Sequence, residues 1–117
     1  MNTRPYQNLI AWKEAHKLCI SIYARTKTFP PEEKFGLVSQ MRRSSYSIAT
    51  NIAESNGRKT KKDRSHFFDI AMGSIDELHY QCILACDLGY ITKEECAAFH
   101  DQIQRTGYLI HKLQQSL

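Results

Sequence analysis

No stretch of this 117-residue chain approaches the ~18 consecutive apolar residues that a membrane-spanning helix needs. Met1–Ile10 lacks the charged lead and apolar run of a signal peptide, so the expectation is a cytoplasmic protein with no membrane partner. No segment alternates apolar and polar residues between turn formers, which removes the strand signal. There is no internal repeat and no low-complexity segment. The four cysteines (Cys19, Cys82, Cys86, Cys96) form no CxxC pair, and each sits within an apolar pattern. In a reducing compartment they read as small buried hydrophobes rather than a disulfide framework. No acid, base and nucleophile fall together in a catalytic pattern, so neither an enzyme nor a cofactor is expected.

What the chain does contain is unevenly placed charge. The total is only +4. Between Arg42 and Arg64, however, seven bases (Arg42, Arg43, Arg58, Lys59, Lys61, Lys62, Arg64) face only Glu54 and Asp63, a local net of +5. The remaining 94 residues therefore sum to −1, and all the excess positive charge lies in about one fifth of the chain. Such localisation points to a polyanionic partner more strongly than the modest total does.

The rest of the pattern is helical, in a length suited to one domain over residues 1–117. Leu9, Trp12, His16, Cys19, Tyr23 and Thr26 recur at 3-4 spacing, with Ala11, Ala15, Leu18 and Ile22 beside them, predicting a first helix over about 9–27. Phe29-Pro30-Pro31 ends it. A second helix is expected from near Glu32 to 56, with Val38, Met41, Ser45, Ile48 and Ile52 as its seam. Ser44, Ser47, Ala49 and Ala53 are small enough for close approach, and Gly57 is expected to stop the helix in the left-handed conformation. The third helix, about 61–88, is capped by Thr60 and carries Phe68, Ala71, Ile75, Leu78, Cys82 and Ala85, with Gly73 permitting a close crossing. Gly89 closes it. Thr92 and Glu95 form a capping box that opens a fourth helix, about 93–117, with Cys96, Phe99, Ile103, Thr106, Ile110, Leu113 and Leu117 inward. Four helices with short connections imply an all-α, antiparallel up-down-up-down four-helix bundle.

Arg58, Lys59, Lys61, Lys62 and Arg64, with Arg42, are the candidate contacts to nucleic-acid phosphates. The third helix's N-terminus adds free N–H groups in the same place. The competing reading is a solvated interhelical loop. Arg43 lies on a polar line with Gln40, Ser47, Asn51 and Glu54, and the third helix carries a matching line of Ser74, Glu77 and Gln81. These lines are expected to face each other or a neighbouring subunit, with Arg43 and Glu77 paired. His79, Cys82 and Cys86 share one face, as do His16 and Cys19, but packing explains both sets better than metal ligation does. Tyr46 and His66 are the candidates for base stacking near the basic run, since Phe68 falls in the core seam.

Several segments together resemble one family. They are Leu9-Ile-Ala-Trp12-Lys-Glu-Ala15, Ile22-Tyr23, Thr28-Phe29-Pro30, Phe35-Gly36-Leu37, Gln40-Met-Arg-Arg43, Ser47-Ile48-Ala-Thr-Asn51-Ile52-Ala53-Glu54, Gly57-Arg58 and Gly73-Ser74-Ile-Asp-Glu77-Leu78. The family is the bacterial four-helix bundle named for proteins encoded by 23S rRNA intervening sequences, related to the accessory variability protein of diversity-generating retroelements. The resemblance covers nearly the whole chain, and SIxxNIAE is its most specific part. It implies a homopentamer with a basic nucleic-acid-binding surface, for RNA or DNA, and carries over no catalytic residue. The chain departs at Thr50, where the family usually has proline, which implies a straighter second helix. It departs again at Ser55, where the family usually has glycine. The alternative function is a protein-interaction scaffold that docks a partner such as a reverse transcriptase, the basic charge being incidental.

Overall fold

Four helices account for most of the chain in the structure, a computed structural model that describes residues 3–117. They are α1 (Ile10–Thr26), α2 (Leu37–Asn56), α3 (Lys61–Asp87) and α4 (Lys93–Gln115), with short 3-10 turns at Pro5–Asn8 and Pro31–Glu33. Among the described residues there is no strand, and no helix is long and apolar enough to cross a membrane. Contacts between the helices fix their directions. Thr26 and Cys19 of α1 meet Arg42 and Ser45 of α2. Gln81, Ser74 and Arg64 of α3 meet Ser44, Ser47 and Ser55 of α2, and His79 and Ser65 of α3 meet His100 and Gln114 of α4. Arg25 and Glu14 of α1 meet Glu95 and Arg105 of α4, closing the ring. In every pair one number rises as the other falls, so each neighbour is antiparallel: up-down-up-down.

The expected seams of α2 and α3 are the observed ones. Val38, Met41, Ser45, Ile48 and Ile52 turn inward against Phe68, Ala71, Ile75, Leu78, Cys82 and Ala85, all buried. Phe99, Ile103, Thr106 and Ile110 do the same from α4. α2 runs unbroken through Thr50, as expected for a helix without proline there.

Four local expectations need correction. The inward stripe of α1 is Ala11, Ala15, Leu18, Ile22 and Thr26, whereas Trp12 and Cys19 lie on its flank and His16 and Tyr23 are exposed. The small alanines let α1 sit close to its neighbours, which turns the bulkier stripe beside them to the edge. The helical stretch after Pro31 is only a 3-10 turn, and α2 begins at Leu37, because Gly36 takes a non-helical conformation (φ −110°, ψ −112°) that resets the chain. Gly57 keeps right-handed φ of −85° and stops α2 without a left-handed residue. That role falls to Gly89 (φ 81°), where Gly89 N–H donates to the Cys86 carbonyl and Tyr90 N–H to that of Ala85, two of the otherwise unpaired carbonyls at the α3 C-terminus. Finally, Gly73 faces open space, and the glycine at a helix crossing is Gly107, where an added Cβ would lie 3.6 Å from Ile75 Cγ2 and 3.7 Å from Met72 Cε.

At the end of the bundle formed by the α1–α2 and α3–α4 connections, charge is used internally. The Arg25 guanidinium grips Glu95 side-on, Nε to Oε2 at 2.5 Å and Nη2 to Oε1 at 3.1 Å, and also donates to the Tyr90 carbonyl. The Arg25 hydrogen bond, helped by the backbone N–H of Thr92, lowers the Glu95 pKa from its ordinary range to about 2. A depressed carboxylate pKa stabilises the fold above the unfolded value, and that stability is lost as pH falls through the folded one. Because both side chains keep some exposure (28% and 37%), screening holds the contribution to about 1 kcal/mol. Arg25→Ala is therefore expected to lower stability at neutral pH by about that amount in urea unfolding. The gap from the parent protein should close as pH drops from 5 toward 2; a gap that stays constant with pH would show that Arg25 acts through packing alone.

Candidate nucleic-acid interface

The basic loop is held at both ends. At the exit of α2, Ser55 is fully buried, and its hydroxyl donates across to the Arg64 carbonyl at 2.9 Å. A glycine here would leave that bond unmade, so the departure at Ser55 adds a tie between α2 and the first turn of α3. Arg64 Nε in turn donates to the Arg58 carbonyl at 2.8 Å. The Arg58 guanidinium pairs with Glu54 at 2.9 Å and lies 4.5 Å from the centre of the Phe67 ring. Thr60 caps α3, its side chain accepting from Asp63 N–H at 3.1 Å.

These bonds sort the six candidate contacts. Arg58 and Arg64 shape the loop. Lys59, Lys61 and Lys62 are exposed, and among the described residues none of them has an acidic group within 4.0 Å. Arg42 lies 14 residues before Asn56, the last residue of α2, ~21 Å from that end at 1.5 Å per residue. It is used there structurally, donating to Thr26 Oγ1 at 3.0 Å and to the Tyr23 carbonyl, with its guanidinium 4.7 Å from the Tyr23 ring centre. The structure therefore brings five of the six together and separates Arg42 from them.

The two polar lines meet each other within the chain. Arg43 pairs with Glu77 at 2.6 Å and donates to Gln40, Ser44 reaches Gln81 at 2.9 Å, and Ser47 reaches Ser74 at 2.8 Å. Asn51 turns back to the Ser47 carbonyl and hydroxyl, and Glu54 is engaged with Arg58. The Arg43–Glu77 pair is about half exposed rather than deeply buried. On the far side of the bundle, His79 and His100 share a hydrogen bond of 2.8 Å beside Cys82, whose thiol burial pushes its pKa up to about 12. Among the described residues no group of three or more His, Cys, Asp or Glu side chains is placed to hold a metal ion.

Lys61 and Lys62 occupy the first two positions of α3, as the Thr60 cap implied, where the helix dipole is already positive and acidic residues are the usual choice. One feature was not anticipated from the sequence: a stacked aromatic cluster beside the loop, made by Tyr6, Trp12 and His16. It was hidden because Trp12 and His16 fit a core stripe, although the alanine-rich stripe next to them fitted equally well.

Because Lys61 and Lys62 oppose the dipole, removing them should not harm the fold. The Lys61→Ala, Lys62→Ala double variant is expected to gain roughly 0.3–1 kcal/mol in urea unfolding at low ionic strength, and the gain should shrink in salt. A clear loss of stability would show that the lysines hold α3 in place.

Comparison with known proteins places this geometry in context. The fold is shared with a crystal structure of a protein of unknown function from the S23 ribosomal protein family of Bacteroides thetaiotaomicron. The TM-score is 0.80 at 20% identity, over 90% of this chain and 98% of that one. No curated protein matches the chain. The family described as 23S rRNA-intervening sequence protein matches over residues 7–112, nearly the whole bundle. The chain belongs to the 23S rRNA-intervening sequence protein family.

Proposed function

We propose that this protein is a non-enzymatic homo-oligomer, a pentamer as the family resemblance implies, that holds RNA or DNA through phosphate contacts to the Lys59–Lys62 edge of the loop. The observation that carries the reading is Lys61 and Lys62 on a helix N-terminus with Lys59 just before it, none of them within 4.0 Å of an acidic group among the described residues. A chain that wanted only a soluble turn gains nothing from placing two of them where the dipole repels them. An approaching phosphate reverses that cost, meeting the lysines, the dipole and the free N–H groups of the first turn together. One loop offers few contacts. Repetition around a closed ring raises avidity for a long polyanion without any new contact. Exposed apolar side chains on three helices, Ile10 and Ile20 on α1, Tyr80 on α3 and Tyr108 on α4, support association of subunits. Phosphate contacts carry no sequence information, so binding is sequence-tolerant.

The test is a salt titration of binding to mixed-sequence RNA and DNA, with the Lys59, Lys61, Lys62 triple alanine variant alongside. Affinity should fall steeply with salt for the parent, and the log–log slope should drop by about 0.7–0.9 for each engaged lysine removed. Light scattering on the same samples should give about five times the 13.6 kDa subunit mass for both proteins. Equal affinity and equal slope for the variant would contradict the loop as the site, and a 13.6 kDa particle would contradict the ring. Partner capture that survives high salt and nuclease treatment would favour a protein-docking scaffold instead.

A further inference from the structure

Three of the four cysteines converge where α3 meets α4. Cys82 and Cys86 lie one helical turn apart on the same face of α3, and Cys96 comes from the first turn of α4. All three line one cavity of about 390 Å³, with His79 and His100 further along it. The register is held on both sides of them. The His79–His100 hydrogen bond of 2.8 Å fixes one side, and on the other Arg25 bonds both Glu95 and the Tyr90 carbonyl. Between these anchors the Cys96 thiol donates to the Cys82 carbonyl at 3.8 Å and lies within hydrogen-bonding reach of the Cys86 thiol. Cys82 is buried, whereas Cys86 and Cys96 are only partly so.

We propose that Cys86 and Cys96 form a reversible oxidation site, closed by hydrogen peroxide to a disulfide between α3 and α4 and reopened by a dithiol. Under reducing conditions the pair rests as two thiols, in keeping with the apolar pattern around it. The Cys86 thiolate attacks one peroxide oxygen. An S–O bond forms, the O–O bond breaks, and the departing hydroxide leaves as water with the proton the thiol gave up. The Cys96 sulfur then attacks the sulfenic sulfur of Cys86. The S–S bond forms, the S–O bond breaks, and the second hydroxide leaves as water with the Cys96 proton. Two thiols lose two electrons, and one peroxide gains them. The order follows from the surroundings. Burial, and then the neighbouring Cys86, raise the Cys96 pKa, and burial alone pushes Cys82 up to about 12, so neither supplies the first thiolate. Because the helices already hold Cys86 and Cys96 side by side, the second step is intramolecular and outruns further oxidation. The pair lies at the end of the bundle opposite the basic loop, so the inference is independent of the phosphate-binding reading.

The full-length protein, fully reduced, should be treated with a modest excess of hydrogen peroxide until its thiol count is constant, then alkylated and digested without reductant. The subunit is expected to become lighter by two hydrogens, with two of its four thiols blocked. The digest should contain one peptide joining Cys86 to Cys96, and dithiothreitol should restore all four thiols. Cys96→Ser should stop at a Cys86 sulfenic acid that dimedone captures, and Cys82→Ala should cross-link as the parent does. Four alkylatable thiols after treatment, a link through Cys82 or Cys19, or subunits joined to one another on a non-reducing gel would each overturn the proposal. The parent protein's own peptide map separates these outcomes, so the test stands even where a variant fails to fold.

Discussion

Where α2 lies against α3, polar side chains are buried and each must be given a partner. Ser44 and Ser55 on α2 have no exposed surface, and Ser74 and Gln81 on α3 keep only 7% and 8%. A buried hydroxyl or amide left unmatched costs roughly 1–3 kcal/mol. Among the described residues no buried side-chain nitrogen or oxygen lacks a partner. The cross-helix bonds Ser44–Gln81, Ser47–Ser74 and Ser55–Arg64 supply part of that matching, and Arg43–Glu77 extends the line to the surface. A slip of one helical turn, ~5.4 Å, would separate all four pairs at once. A seam of serine and alanine packed by oil alone would have many near-equal registers. The polar pairs select one, which is the best-attested use of buried polarity. Everything at the loop follows from this register, because the loop spans only Gly57–Thr60 between the two helices it joins.

The two ends of the bundle then treat charge differently. At one end Arg25 is paired with Glu95, and the Tyr90 hydroxyl donates to Glu33, raising its own pKa. At the other, two arginines are committed to shaping the turn while three lysines are left in solvent at a helix N-terminus. A local choice that opposes local stability is where function is to be looked for first. The contrast within one small domain makes a general surplus of base an insufficient explanation.

The bundle was legible because its period was uninterrupted: the α2, α3 and α4 seams are read directly from 3-4 spacing, and the Thr92–Glu95 box marks the start of α4 at the observed residue. α1 was read one stripe off. Aromatic and sulfur-containing residues outweigh alanines in any hydrophobic count, yet the alanines are what allow helices to approach. The start of α2 was misplaced because Pro31 and two acids open a 3-10 turn as readily as an α-helix, and Gly36 decides between them. Facing polar lines on α2 and α3 were visible as pairs of spacings. What could not be read was commitment. Whether an arginine is spare or spent depends on what lies across from it, and Arg42, Arg58 and Arg64 are all spent in ways set by tertiary contacts.

The claim that the α2–α3 register presents one phosphate-binding edge is tested most directly by mapping where nucleic acid touches the protein. Bound RNA should be photocrosslinked to the full chain and the adducts located by peptide mass spectrometry. The adducts are expected to concentrate on Lys59–Arg64. Adducts clustered at the opposite end, around Lys34 and Phe35, or spread evenly over the 16 lysines and arginines, would contradict it.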